Sequence, residues 1–188
     1  MRSHAQIRAA LPQRYPLLLV DQVIELEPGR SITTIKAITA TEPCYAWLPD
    51  GAGKRCWAYP RSLLIESFGQ SAALLWLGSS PAEPDGDGTL MFAAARDFAF
   101  EGDAYPGDVL RHEVRLDSVL AGTAFAAGET WAGPRRIATV STLIATRRPV
   151  RRPGRASHTP GTPSPPAVPG TAGTDPAHAV INSGEGLR

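Results

Sequence analysis

The stretch PRSLLIESFGQSAALLWLGSS, residues 60–80, decides the fold. Proline stands where a first helical position would be, and Gly78 with two serines follows the last apolar residue, so the punctuation predicts one helix of about five turns. Around that helix Leu63, Leu64, Ile65, Phe68, Ala72, Ala73, Leu74, Leu75, Trp76 and Leu77 occupy nearly every direction. A helix apolar all round has no face to offer water, so it must be buried. Against that background Ser62, Glu66 and Gln70 fall at i, i+4 and i+8 and form one thin polar stripe, which Ser67 and Ser71 widen.

The flanking text supplies what buries it. SHAQIRAALP, from Ser3 to Pro12, has Ser followed three residues later by Gln6, a capping-box spacing that predicts a short helix stopping at the proline. PLLLVDQVIELEPG (16–29) closes on a Pro-Gly turn pair, and SITTIKAITAT (31–41) is filled with β-branched residues, so the two read as a hairpin. EPCYAWLPDGAGKRCWAYP (42–60) follows neither period and reads as a long loop of the kind that carries function. Beyond the Gly-rich acidic turn PAEPDGDG come LMFAAARDFAFE, DVLRHEVRLDSVLAG, TAFAAGETWAG and RRIATVSTLIATRR, separated by YPGD, AG and GP turn signals. One apolar helix among five or six antiparallel strands is an α+β plan in which the sheet wraps the helix.

With 188 residues the chain holds one such domain, expected over residues 1–148. From Pro149 to Arg188 proline, glycine, serine and threonine dominate and aromatic residues vanish, which predicts a disordered tail unable to offset its ordering entropy. The formal net charge of +1 supplies no field for steering polyanions, so nucleic acid is not an expected partner. Residues 1–10 lack an apolar signal region and no apolar run reaches about 18 residues, so the expected location is the cytoplasm, without membrane association. Cys44 and Cys56 are read as reduced thiols, and no metal or cofactor is expected.

Chemistry concentrates on Glu66. A carboxylate set in an apolar helix loses hydration, which favours the protonated form and suits it to deliver a proton. The residues alone leave two readings open: a general acid, or a structural carboxylate that reaches solvent or pairs with an arginine such as Arg96. Of the histidines His4, His112, His158 and His178, only His112 stands in an expected strand, where the two-residue period puts it on a face with Leu110, Val114 and Leu116. That placement suits a core or interface histidine better than a base. Tyr45, Asp50, Cys44 and Cys56 share the long loop, but phenols and thiols titrate well above neutral pH and do not replace a base there.

The elements LP, RYP and LLVD within LPQRYPLLLVDQVIELEPG, then IKAITATEP, then PRSLLIESFGQSAALL with Pro60, Glu66 and Gln70, and finally YPGDVLRHEVRL occur in the order seen in the 3-hydroxyacyl-acyl-carrier-protein dehydratases of type II fatty-acid synthesis. The chain resembles that family over about residues 6–147. The resemblance implies a hotdog fold, in which an antiparallel sheet wraps a long central helix, and dimers with active sites made from both subunits. It implies an acyl chain on the phosphopantetheine of an acyl carrier protein as substrate. It also implies that a histidine on the loop before the helix removes the α-proton while the helical carboxylate of the other subunit protonates the leaving β-hydroxyl.

Here the chain departs from the pattern. Where the family has a His-Phe-Pro-Gly element after its Glu-Pro, this chain has LPDG as the nearest counterpart, with Trp47 at the place of the histidine and Arg61 for the small glycine after the helix proline. Glu66 and Gln70 are therefore the candidates for catalysis, and Tyr45, Trp47, Trp57, Tyr59, Pro60, Arg61 and Ser62 the candidates for contact with the acyl substrate. The aromatic members could line a tunnel, plug it, or pack an interface. The leading expectation is a subunit of a polyketide or fatty-acid dehydratase that gains its base from a histidine-bearing hotdog homologue in a heterodimer. A homodimer that binds acyl carrier protein without catalysis, and another thioester chemistry such as hydrolysis or isomerisation, are the alternatives.

Overall fold

Ser3 opens the first helix as its spacing predicts. Its backbone N–H donates to Gln6 Oε1 at 2.8 Å, which satisfies one of the donors that a helix start leaves without a partner. The computed structural model describes residues 3–79 and 88–149. They form α1 (His4–Ala10), β1 (Gln22–Glu27), β2 (Ser31–Ala37), α2 (Arg61–Ser79), β3 (Gly88–Phe100), β4 (Val109–Leu120), β5 (Thr123–Ala132) and β6 (Arg135–Pro149). The tail expected over residues 149–188 lies outside the described residues from 150 onward. No helix among the described residues is long and apolar enough to cross a membrane.

The six strands form one antiparallel sheet in the order β1-β2-β4-β5-β6-β3, and α2 packs against β1, β2, β4 and β5. This is the hotdog arrangement. Alternation does the work on β4, where Leu110, His112 and Val114 turn inward and Arg111, Glu113 and Arg115 turn to water. The inner face closes over Phe68, Leu74 and Leu75 of the helix, all fully buried. Gly128 lets β4 and β5 approach: a Cβ there would sit 2.0 Å from the Glu113 carbonyl oxygen.

Two details of the helix differ from the sequence reading. Pro60 is not the first helical residue but the cap before it, its carbonyl accepting the N–H of Leu63 at 3.0 Å and of Leu64 at 3.1 Å. The polar stripe is also not one stripe. Ser67 and Ser71 are fully buried against the sheet, where Ser71 Oγ lies 2.7 Å from Thr34 Oγ1 of β2. They also donate back to the helix, to the carbonyls of Leu64 and Ser67, so a small hydroxyl side chain lets helix and sheet meet closely without an unpaired polar atom. Ser62, at the other end of the stripe, is exposed.

Candidate active site

Glu66 is held from two sides. Gln70, one turn later on α2, donates Nε2–H to Glu66 Oε1 at 2.9 Å. Gln13, from the segment ahead of β1, donates Nε2–H to the same oxygen at 3.2 Å. Gln70 itself is buried and anchored, with its Oε1 accepting Leu19 N–H at 2.9 Å and its Nε2 donating to Leu17 O at 2.6 Å. The carboxylate is half-buried and, with Pro12, Gln13, Gly69, Gln70 and Phe92, borders a cavity of about 40 Å³. Among the described residues its hydrogen-bond partners are amides, not the arginine that was one reading of it, and Arg96 is exposed on β3.

The other candidates do not gather there. None of Tyr45, Trp47, Trp57, Tyr59, Pro60, Arg61 and Ser62 borders that cavity. Tyr45 and Tyr59 are buried in a second apolar cluster with Ile38, Leu64, Leu110 and Ile137, and Trp57 lies 5.3 Å from the Tyr45 ring. Trp47 is 94 % exposed. Arg61 is exposed, stacked 4.7 Å from the Phe100 ring centroid and 3.6 Å from Asp103 Oδ1, and beside it on α2 Ser62 is exposed too. The loop thus divides into buried aromatics that pack the domain and an outward-pointing tryptophan.

Tyr45, Tyr59 and Cys44 of the loop supply no base. Burial pushes the Tyr45 and Tyr59 phenols well above their ordinary value, and negative charge at Glu42 adds to the effect in both. Burial, followed by the charge of Glu42, also raises the Cys44 thiol. These groups stay protonated at neutral pH.

His112 is a core residue, as its strand position indicates. It is fully buried, with Nε2 2.9 Å from Ser67 Oγ and Nδ1 2.9 Å from Thr130 Oγ1. Because Ser67 Oγ gives its proton to the Leu64 carbonyl, the consistent assignment has Nε2–H donating to Ser67 and Nδ1 accepting from Thr130. Burial lowers its pKa to about 3, so the ring is neutral with both nitrogens engaged.

Sequence reading missed Gln13 and Phe92, and it left the Asp21–Lys36–Glu42 group without a role. Gln13 stands in a motif but next to no periodic element, so nothing local tells which way its amide turns. Lys36 is buried on β2, donates to Glu42 Oε1 at 2.5 Å and to Ala37 O at 2.7 Å, and lies 4.0 Å from Asp21 Oδ2. Asp21 also accepts Ala37 N–H at 2.7 Å. The aspartate of LLVD and the glutamate of TEP are therefore structural partners of one buried lysine.

No family model matches the chain. It is 34% identical over 145 residues to the 3-hydroxyacyl-(acyl-carrier-protein) dehydratase FabZ of Variovorax paradoxus, a match covering 77% of this chain and 93% of the relative. The dehydratase FabZ of a Polaromonas species is also 34% identical over 145 residues, covering 77% and 97%. Among solved structures, the dehydratase heterocomplex ApeI:P from Xenorhabdus doucetiae superposes with a TM-score of 0.59 at 16% identity, over 76% of this chain and 90% of that one. Cj0977, a sigma28-regulated virulence protein from Campylobacter jejuni, superposes with a TM-score of 0.55 at 14% identity, over 77% and 89%. At such identities the structural likeness speaks for the fold.

Proposed function

The chain belongs to the 3-hydroxyacyl-(acyl-carrier-protein) dehydratase FabZ family, and from that membership we propose that it is one subunit of a composite dehydratase, contributing Glu66 while a histidine-bearing hotdog homologue contributes the base. The observation that carries this reading is the contrast between two groups. Glu66 is oriented by two amides at the edge of a cavity, whereas His112 is neutral with both ring nitrogens occupied. The chain keeps an acid and has no free base beside it among the described residues.

In the composite site the partner's histidine removes the α-proton of the 3-hydroxyacyl thioester on the carrier's phosphopantetheine. The electron pair forms the α,β double bond, the β-hydroxyl leaves, and Glu66 gives it the proton that completes water. Each group acts once, and the 2-enoyl thioester and water are the products. The dehydratase heterocomplex among the structural neighbours makes a two-chain hotdog assembly a reasonable form for this one.

The test is to purify the chain with and without a histidine-bearing homologue and to follow 3-hydroxyacyl-carrier dehydration. The pair should exceed the partner alone, and Glu66→Gln should lower its rate by about 10²-fold or more. A pair no faster than the partner alone, or one indifferent to Glu66→Gln, refutes the proposal. A second reading, an acyl-carrier-binding subunit without catalysis, draws on the packing of Tyr45 and Tyr59 into the core, which fills the loop that a base would occupy. Binding of acyl carrier with no turnover in any pairing would favour it.

A further inference from the structure

Gln70 cannot reverse its amide. Its Oε1 receives a backbone N–H from Leu19, and its Nε2 faces the backbone carbonyl of Leu17, so exchanging oxygen and nitrogen would set donor against donor and acceptor against acceptor. One N–H of Gln70 therefore always points at Glu66 Oε1. A proton placed on that oxygen would collide with it, so the proton of a neutral Glu66 belongs on Oε2.

Gln13 adds a second N–H to Oε1. Its own Oε1 is buried and has no hydrogen-bond partner among the described residues, which is a cost for an amide that half-faces solvent and could turn outward to be hydrated. The backbone beside it is braced, since the Arg14 guanidinium donates to the carbonyls of Leu11 at 2.7 Å and Gln13 at 2.6 Å. The side chain is thus kept against Glu66 although its oxygen gains nothing there.

We propose that Gln13 is a positioning residue: with Gln70 it reserves Glu66 Oε1 as an acceptor, makes Oε2 the oxygen that delivers the proton, and stabilises the carboxylate left behind. This rests on Glu66 acting as the acid in the composite dehydratase. The step itself is unchanged in balance, with the Oε2–H bond broken and the new O–H bond formed on the departing hydroxyl. A donor that strengthens as charge develops on Glu66 acts on the transition state more than on substrate binding.

The experiment uses the purified pair. Gln13→Met keeps the length of the side chain and removes the amide, and should lower kcat about tenfold with KM changed less than twofold. Gln13→Asn keeps an amide but shortens its reach by one carbon, and should lose kcat similarly if position is what matters. Infrared difference spectra of the isolated chain against Glu66→Gln supply a readout independent of turnover: the Glu66 carboxyl bands should move in Gln13→Met. Unmoved bands, or a kcat within twofold of the parent in both variants while Glu66→Gln is inactive, overturn the role of Gln13 and leave the dehydratase reading standing. If Glu66→Gln is itself fully active, the dehydratase reading has failed and this one with it.

Discussion

His112 Nε2 of β4 lies 2.9 Å from Ser67 Oγ of α2, so the central helix and the middle of the sheet meet through a hydrogen bond inside the core. The Phe68 ring stands edge-on to the same imidazole, with centroids 6.0 Å apart. A neutral histidine fits this place and a charged one does not.

That gives a pH dependence with a definite sign. The native ring titrates at about 3 and the unfolded one near its ordinary value of 6.5, so below pH 6.5 the unfolded state binds a proton that the native state refuses. Stability should fall as pH drops from about 6 to 5, above the range where most carboxylates titrate, with a slope approaching about 1.4 kcal/mol per pH unit from this group. Urea midpoints at the two pH values would record it. His112→Gln should flatten the slope even if it lowers stability overall, and an equal slope in the variant would contradict the assignment.

The Lys36–Glu42 pair predicts a large asymmetry between single and double replacement. With side chains only 7% and 12% exposed, Lys36→Met strands a carboxylate in the core and should cost about 3–5 kcal/mol. Lys36→Met with Glu42→Leu removes both charges and should recover much of that loss. Denaturant unfolding of the three proteins measures the difference, and a double variant as weak as the single one would show that the pair is not the source.

Gly128→Ala should destabilise the domain by at least about 2 kcal/mol, because its Cβ meets backbone rather than a side chain that could swing away. The measurement is thermal unfolding beside Gly69→Ala, whose Cβ would find Phe92 Cδ2 at an ordinary 3.6 Å. Similar melting temperatures for the two would count against a close β4–β5 approach.

Trp47 offers an optical test of the proposed pairing with a histidine-bearing subunit. At 94 % exposure it should emit like a tryptophan in water, and burial against a histidine-bearing partner should shift that emission to shorter wavelength. Subtracting the spectrum of Trp47→Phe, alone and in the pair, isolates the signal from Trp57, Trp76 and Trp131. An emission unchanged by the partner would place this loop outside the shared surface.

Much of the fold was legible because local patterns carried it. The helix from Arg61 to Ser79 follows from residues that are apolar in every direction, and the four strands after it follow from runs bounded by YPGD, AG and GP turns. The site was legible only in part. Glu66 and Gln70 stand one turn apart on one helix, so spacing alone brought them together. Gln13 lies 53 residues from Glu66 along the chain, and no local period connects them. Tyr45 and Trp47 illustrate the same limit, since two aromatics two residues apart in an irregular loop end with one in the core and the other in water.

The sequence by itself determined that a buried helix bears an acid, because helical and strand periods are properties of neighbouring residues. Only the tertiary structure decided which oxygen of Glu66 is occupied, that Ser67 and Ser71 face the sheet and not the site, and that His112 is locked neutral. Those outcomes depend on amides, hydroxyls and carbonyls brought from distant parts of the chain, and a buried polar group takes the partner that folding supplies.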